Sequence, residues 1–541
     1  MISALCWVKR GAAKEYPQRY EMTEEEYKRI NSIVSNELED AKQNLKDAES
    51  KIAAADVAAT TEEKEKKAIE EDPELAGLDM ENYSDDDGGM DGEDEVSHSG
   101  ADIFSNIRGL AYYDSNKEDP YITIPDEEDS SEKEETRILP TDNLLVAAKT
   151  EDDISQIEVL AFEGEHDHMY NHQDMMLPEF PLCLEWLDFP FQSEGDSNGN
   201  AIGDKKGNLV AVGTFSPNIE IWDLDVLDSM YPRAVLGNPG KKNRHKRKGK
   251  PHSDYHTDAV MGLSWNRLAR NILASSSADT TVKLWDLTST KKCVRSFNHH
   301  KDKVQAVQWH PREQPIILTG GYDRTVAVFD TRVPEKVTRW SVAADVESVA
   351  WDPHSPSNFY VAMENGIVQY YDARNTNGEK GGEPLFTLHA HDQGVPAFDI
   401  HPALPGCIVT GSLDKTIKVW STKDNRPSMV TSRTLDVGRV FAARFSPDAP
   451  YHLAVAGSRG NINIWDLSTN AAIRALSRQQ GAQIPEDDIQ EKPLIGHTVT
   501  LGDKDSDDDD DDDNGGEGEE RAKDGNSMEI ESESEDGDSD N

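Results

Sequence analysis

The chain has 541 residues, a formal net charge of -48 and a pI near 4.6, with 36% hydrophobic residues. The charge is uneven: residues 61–140 hold 27 Asp/Glu against 7 Lys/Arg, and residues 501–541 hold 20 against 3. Those two segments cannot bury enough apolar surface to offset chain entropy, so disorder is expected there and a foldable body elsewhere. Cys6, Cys183, Cys293 and Cys407 lie far apart with no CxxC pair, which argues against a disulfide framework or zinc ribbon and for a reducing compartment. The start MISALCWVKRG is too short an apolar run for a signal peptide, and no stretch approaches the ~18 apolar residues of a membrane span, so a soluble intracellular protein is expected.

In chain order, Ile2–Val8 reads as a strand with the pattern of VMGLSW further on, but no second strand follows it. Thr23 and Glu26 form a capping box ahead of Tyr27, Ile30, Val34, Leu38, Ala41, Leu45, Ala48 and Ile52. That three-and-four spacing predicts a helix over about 23–54, suited to packing on the body or in a partner's groove, with Tyr27, Ile30, Val34 and Leu38 as candidate partner-binding residues. The acidic linker that follows carries EDPYITIP at 118–125, where Tyr121 and Ile122 could act as a linear anchor. DNLLVAAKTEDDISQIEVLAF at 142–162 then reads as two strands joined by a polar turn. Residues 1–10 and about 141–175 are therefore expected to form one blade, split by the insertion 11–140. Closing a ring removes sheet edges, which gives a physical reason to keep the terminal strand.

From there a repeat takes over. An aromatic followed by a short polar residue ends a β-rich run at Trp222-Asp223, Trp285-Asp286, Phe329-Asp330, Tyr371-Asp372, Trp420-Ser421 and Trp465-Asp466, at intervals of 63, 44, 42, 49 and 45 residues. The last four match the ~40–45-residue unit of a WD40 blade. With the split blade the expectation is an all-β, seven-bladed WD40 propeller over 141–478, plus strand 1–10, with a basic loop at 238–254 and an acidic tail over 479–541.

Three blades carry a His, a Ser/Thr, an Asp and a strand aromatic at fixed spacing: His256, Ser275, Asp279 and Trp285; His300, Thr319, Asp323 and Phe329; His391, Thr410, Asp414 and Trp420. Catalysis needs one such set in one cleft, so three copies at the repeat period read as hydrogen-bonded structural tetrads. No P-loop, GxSxG or strand-linked GxGxxG is present, and no enzyme, cofactor or small-molecule substrate is expected. His166, His168 and His172 resemble a metal cluster but lack a spaced carboxylate or thiolate, so they are read as a loop entering a blade and no metal is expected. Lys241, Lys242, Arg244, Lys246, Arg247, Lys248 and Lys250 put seven cations in ten positions without an aromatic, a pattern for nuclear import or RNA phosphate contact rather than sequence readout. Ser84, Ser506, Ser532, Ser534 and Ser539 lie in acidic surroundings that suit phosphorylation.

The opening MISALCWVKRGAAKEYPQRY, EDPYITIP, PTDNLLVAAKTEDD (140–153), LPEFPLCLEWLDF (177–189), GTFSPNIEIWDLD (213–225) and HTDAVMGLSWN (256–266) together resemble the periodic tryptophan protein 1 family in its fungal form, over residues 1 to about 475. The resemblance implies a ribosome biogenesis factor of the nucleus and nucleolus, associated with early large-subunit (pre-60S) precursors and supporting ribosomal RNA processing. Its implied partners are pre-ribosomal RNA, ribosomal proteins and other assembly factors, with no membrane. A chromatin or histone-binding adaptor acting on ribosomal DNA transcription is the alternative.

Overall fold

The computed structural model describes residues 1–20, 134, 136–164, 166–190, 206–237, 254–288, 293–377, 380–479, 492 and 494–497. All fall within the compact unit Met1–Thr498; the second unit, Val499–Asn541, lies outside them, as do the expected helix 23–54, Tyr121 and Ile122, the basic run 241–250 and the acidic serines.

The repeat folds as seven sheets arranged as the blades of a propeller, the four strands of each blade antiparallel and its inner strand against the inner strands of its two neighbours; two short strands, Lys380–Gly381 and Thr376–Asn377, extend the blade 4 sheet. Blade 1 is Ile2–Val8, Asn143–Glu151, Ile154–Glu163 and His168–Leu177; blade 2 is Pro181–Leu187, Leu209–Thr214, Ile219–Asp223 and Ala234–Leu236. Blade 3 is Val260–Trp265, Ile272–Ser277, Val282–Asp286 and Cys293–Phe297; blade 4 is Val304–Trp309, Ile316–Gly321, Thr325–Asp330 and Val337–Ser341. Blade 5 is Val346–Trp351, Asn358–Met363, Ile367–Asp372 and Phe386–His389; blade 6 is Ala397–Ile400, Cys407–Gly411, Thr416–Ser421 and Ser428–Thr434. Blade 7 is Val440–Phe445, His452–Gly457, Ile462–Asp466 and Ile495–His497.

The second strand of each blade is covered on both faces, which is why LVAVGT, CIVTG and HLAVAG read as continuous rather than alternating apolar runs. Small residues in that strand admit the next blade. A Cβ on Gly320 would sit 2.5 Å from Val346 Cγ1, and one on Gly411 would sit 2.5 Å from Val440 Cγ1. Each of those valines opens the inner strand of the following blade.

The terminal strand Ile2–Val8 pairs with Asn143–Glu151, placing Trp7 opposite Leu145 and Val8 opposite Leu144. Ile2, Leu5 and Trp7 pack with Ala442, Ala454 and Ile464 of blade 7, whereas Val8 packs toward blade 2. Trp7 Nε1 donates to the Arg444 carbonyl (3.0 Å) and the Arg10 amide to Asp448 Oδ2 (2.7 Å), so the start of the chain bonds directly to the last blade. Burying side chains of this size contributes roughly 1.5–3 kcal/mol each.

Blade 7 departs from the boundary expected at 478. A helix, Ala471–Gln479, follows its third strand and buries Ile473 and Leu476 against the blade 6–7 core, and the outer strand arrives only at Ile495–His497. The strand is three residues long and follows an acidic stretch, so its short apolar signal is hidden. Lys492 Nζ lies 2.7 Å from Asp167 Oδ2, tying the approach to this strand to blade 1.

Past Val8 the chain runs beneath blade 2. Gln18–Arg19 pair in parallel with Val226–Leu227, and the Ile138 amide donates to the Glu15 carbonyl (3.0 Å). Arg137 Nη2 lies 2.6 Å from Glu15 Oε1, with its guanidinium 5.7 Å from the Tyr16 ring centre. The exit and return of segment 21–133 are thus fastened to each other and to blade 2. Replacing residues 21–133 by a short Gly/Ser linker should therefore leave the melting temperature within a few degrees of the full chain by circular dichroism. A large drop would show that the segment carries part of the ring's stability.

Candidate functional site

The end of the ring that bears the turns between second and third strands is built around the three His–Ser/Thr–Asp sets. In blade 3, His256 Nδ1 lies 3.0 Å from Asp279 Oδ2 and Nε2 lies 2.7 Å from Ser275 Oγ, which also accepts from Trp285 Nε1 at 2.8 Å. Blade 6 repeats this with His391 to Asp414 and to Thr410 (both 2.8 Å) and Trp420 Nε1 to Thr410 Oγ1 (2.9 Å). The pattern closes when indole N–H donates to hydroxyl, hydroxyl to Nε2, and Nδ1–H to carboxylate, with a neutral imidazole. Burial lowers the His256 and His391 pKa values against the pull of Asp279 and Asp414.

Blade 4 corrects the expected aromatic member. His300 reaches Thr319 Oγ1 (2.8 Å) and Asp323 Oδ1 (3.1 Å), but Phe329 has no donor and cannot join the bonds. Thr319 Oγ1 lies 3.4 Å from the Ala327 carbonyl, as Thr410 Oγ1 does from that of Lys418 (3.5 Å), while the Phe329 ring packs against Phe297 at 4.9 Å. A further member was missed from sequence in all three blades. The hydroxyls of Thr281, Thr325 and Thr416 donate to the Asp two residues earlier at 2.6, 2.7 and 2.6 Å. Burial would raise the Asp279 and Asp323 carboxyls, yet the bonds from His256 and His300 and from these threonines outweigh it and hold both below the usual carboxylate range. The residue between each Asp and Thr adopts positive φ: Thr280 at 68°, Arg324 at 58° and Lys415 at 67°. The networks thus lock tight turns. Every polar group in these sets is engaged inside the protein, so none is poised to attack a substrate.

The blade 3 set also roots the basic segment. The chain leaves blade 2 at Gly237, whose φ is +76° and where a Cβ would meet Trp285 Cη2 at 2.8 Å, so a side chain is excluded there. It returns at Asp254, whose carbonyl accepts from the Cys293 amide (3.0 Å), two residues before His256. The chain on either side of the seven cations is therefore fixed at blade 3, against Trp285 on one side and Cys293 on the other.

Around the central channel lies a second network that the sequence did not reveal. In four blades the residue before an aromatic or Ile at or next to the end of the inner strand points to the neighbouring blade. Glu185 Oε1 accepts from the Trp265 amide (3.1 Å), Ser264 Oγ from Trp309 (3.2 Å), Gln308 Oε1 from Trp351 (2.5 Å) and Asp399 Oδ2 from Phe445 (2.8 Å). These bonds stitch blades 2–3, 3–4, 4–5 and 6–7. Glu185, Gln308 and Asp399 also line a channel cavity of about 760 Å³ together with Arg267 and Arg444. Burial raises the Glu185 and Asp399 carboxyl pKa values, and the two arginines oppose it.

The opposite end uses a third repeated device. Asn266 Oδ1 accepts the amides of Leu268 and Ala269 (3.0 and 2.9 Å), and His310 Nδ1 those of Arg312 and Glu313 (3.1 and 2.8 Å). His401 Nδ1 accepts those of Ala403 and Leu404 (3.1 and 2.9 Å). Burial, with His354 nearby, lowers the His401 pKa to about 4.

The three histidines of HDHMYNH go to three separate partners. His166 Nδ1 lies 3.5 Å from Glu163, His168 stacks on Tyr170 at 5.6 Å, and His172 Nε2 bonds the Thr136 carbonyl at 3.0 Å. Among the described residues no cluster of three or more His, Cys, Asp or Glu could hold a metal ion, and no helix is long and apolar enough to cross a membrane.

The WD domain, G-beta repeat family model matches residues 250–286, 291–330 and 382–421. An uncharacterized WD repeat-containing protein of Schizosaccharomyces pombe is 49% identical over 88% of this chain and 90% of its own length. Periodic tryptophan protein 1 of Saccharomyces cerevisiae is 34% identical over 93% of this chain and 94% of its own, and the Drosophila melanogaster homolog is 32% identical over 87% and 95%.

Two substitutions test these networks. Ser275→Ala leaves His256 and Trp285 without their shared partner in a fully buried site and should cost about 1–3 kcal/mol by urea denaturation; an unchanged midpoint would mean the tetrad adds no stability. For His401 the folded-state pKa lies below the unfolded value of 6.5, so its contribution is complete above pH 6.5 and is lost as pH falls toward about 4. His401→Asn keeps an acceptor for the two amides, as Asn266 does, and removes the titration. The stability gap between wild type and His401→Asn should therefore shift in the variant's favour between pH 6.5 and 4, and a gap constant with pH would contradict the assignment.

Proposed function

The chain belongs to the periodic tryptophan protein 1 family, and from that premise we propose that it is a non-enzymatic scaffold of ribosome assembly, bound to nucleolar precursors of the large ribosomal subunit and supporting ribosomal RNA processing. The observation that carries this reading is the match to family relatives along nearly the whole chain, insertions included, rather than along the repeats alone. The geometry supports the non-enzymatic part. The only sets that resemble catalytic triads among the described residues are three copies of one structural network, bonded within blades 3, 4 and 6. What distinguishes the chain from a plain ring lies in the segments fixed to it. In this reading Lys241, Lys242, Arg244, Lys246, Arg247, Lys248 and Lys250 meet RNA phosphates or an import receptor, while segment 21–133, with the helix expected from its sequence and its Tyr121 motif, meets protein partners.

Full-length tagged protein should sediment in a gradient with large-subunit precursors and move to the top after ribonuclease treatment. Sedimentation at the top without treatment, with histones retained after ribonuclease, would reject this reading in favour of a chromatin adaptor. Replacing the seven cations of 241–250 by Gln should reduce RNA crosslinking, and unaltered crosslinks would remove the segment from the RNA contact.

A further inference from the structure

One corner of the ring, at the tetrad end of blades 1 and 2, exposes large apolar side chains that no part of the described structure covers. Ile154 is 56% exposed, Met176 60% and Phe215 57%. The register explains the grouping. Gln156 lies opposite Met176, so Ile154 and Met176 share one face of the blade 1 hairpin as diagonal neighbours. The chain then runs through Leu177, Pro178 and Glu179 to Phe180, whose carbonyl accepts from the Phe215 amide (3.1 Å) and whose ring lies 5.5 Å from that of Phe215. The middle strands of blade 1 run to Glu151 and Ile154, nine and ten residues long where those of blade 3 have six and five. The corner is a raised edge rather than a hollow.

The exposed charged side chains beside it are acidic. Glu151, Asp152, Asp153 and Glu179 are all exposed around these four side chains. The cations beside them are engaged: Lys149 is buried, 2.9 Å from the buried Glu158 and 3.8 Å from Glu151, and the terminal ammonium of Met1 bonds the Thr150 carbonyl. The field reaches the neighbouring strand: burial raises the Glu220 carboxyl pKa, and Glu179 adds to it. Exposed apolar residues rimmed by charge mark a protein interface rather than ordinary surface, and an acidic rim repels phosphate.

We propose that this corner docks a protein segment in which apolar side chains alternate with lysine or arginine, the apolar groups seating on Met176, Ile154, Phe180 and Phe215 and the cations meeting Asp152, Asp153 and Glu179. It specifies one partner chemistry for the scaffold role and rests on that role, though not on the identity of the particle. The same end of the ring also bears Gly237 and Asp254, between which the basic sequence runs.

The test uses the full chain and defined probes in fluorescence anisotropy. The probes are a labelled 15-residue peptide of interleaved Leu, Phe and Lys, the same peptide with Glu for Lys, the same with Ser for Leu and Phe, and a labelled oligouridylate. The first should bind, and the other two peptides should bind at least ten times more weakly. Met176→Ser with Phe215→Ala should weaken the first peptide by roughly 5- to 30-fold, the range for anchor residues at an interface. Asp152→Asn, Asp153→Asn and Glu179→Gln together should weaken it and flatten its salt dependence. Both sets lie on exposed side chains, and the unchanged melting curve expected of them separates lost binding from lost folding. Equal binding of the Lys and Glu peptides, or wild-type affinity in the Met176/Phe215 variant, would overturn the proposal. So would an oligouridylate affinity that falls with Phe215→Ala, which would make the corner an RNA surface. Failure of the peptide arm with normal sedimentation would discard this surface alone, while failure of sedimentation with normal peptide binding would discard the ribosomal role alone.

Discussion

The seven inner strands hold one another in a circle, and the strand Ile2–Val8 is the one that the chain must deliver from a distance. It sits between Val440–Phe445 and Pro181–Leu187, so it supplies the inner wall for the last blade as well as for its own. Without it, Ala442, Ala454 and Ile464 of blade 7 would lose their apolar cover and Asn143–Glu151 would become an open edge. Open edges invite pairing with other chains, and closure removes them. The outer rim is closed separately by Lys492 on Asp167 and by the short strand Ile495–His497. The ring therefore depends on segments from both ends of its unit rather than on a single overlapping blade.

Given a closed ring, the repeated polar networks divide the labour of holding it. The tetrads of blades 3, 4 and 6 lock turns at one end, and the amide-accepting Asn266, His310 and His401 lock turns at the other. Between them, Glu185, Ser264, Gln308 and Asp399 tie blade to blade across the channel wall. Blade 7 shows the repeat without its network: Val455 occupies the Ser/Thr position opposite Asn463, and the Trp465 indole nitrogen is buried with no hydrogen-bond partner among the described residues. These groups are committed to the scaffold, and the blades also anchor two long segments. Segment 21–133 is fastened at Glu15 and Ile138, and the basic segment at Gly237 and Asp254.

The seven-bladed class could be read from sequence because an aromatic recurs at an almost constant interval and each recurrence must fill the same space between sheets. The His, Ser/Thr and Asp positions were equally visible, since each keeps its residue type wherever the network exists. Phe329 misled because the spacing that marks a ring-shaped space says nothing about whether the ring carries a donor. The channel network stayed hidden for the opposite reason. Glu, Ser, Gln and Asp fill it interchangeably, since any side-chain acceptor can receive the neighbouring amide, so position was the only signal. The outer strand of blade 7 was missed because Ile495–His497 is too short to show alternation and follows the helix Ala471–Gln479 and an acidic stretch. The exposed corner of Ile154, Met176, Phe180 and Phe215 had no sequence signature at all, for its members come from two blades and meet only through strand register.

The central claim is that Ile2–Val8 is a permanent structural strand of the ring and not a terminal arm resting on it. Amide hydrogen exchange on the full chain measures this directly, because terminal arms exchange through local fraying whereas core strands exchange only on global opening. The account predicts that the amides of Ala4, Cys6 and Val8 exchange as slowly as those of Val210 and Val455 in the second strands of blades 2 and 7. Rapid exchange at residues 2–8, with Val210 and Val455 still protected, would contradict it.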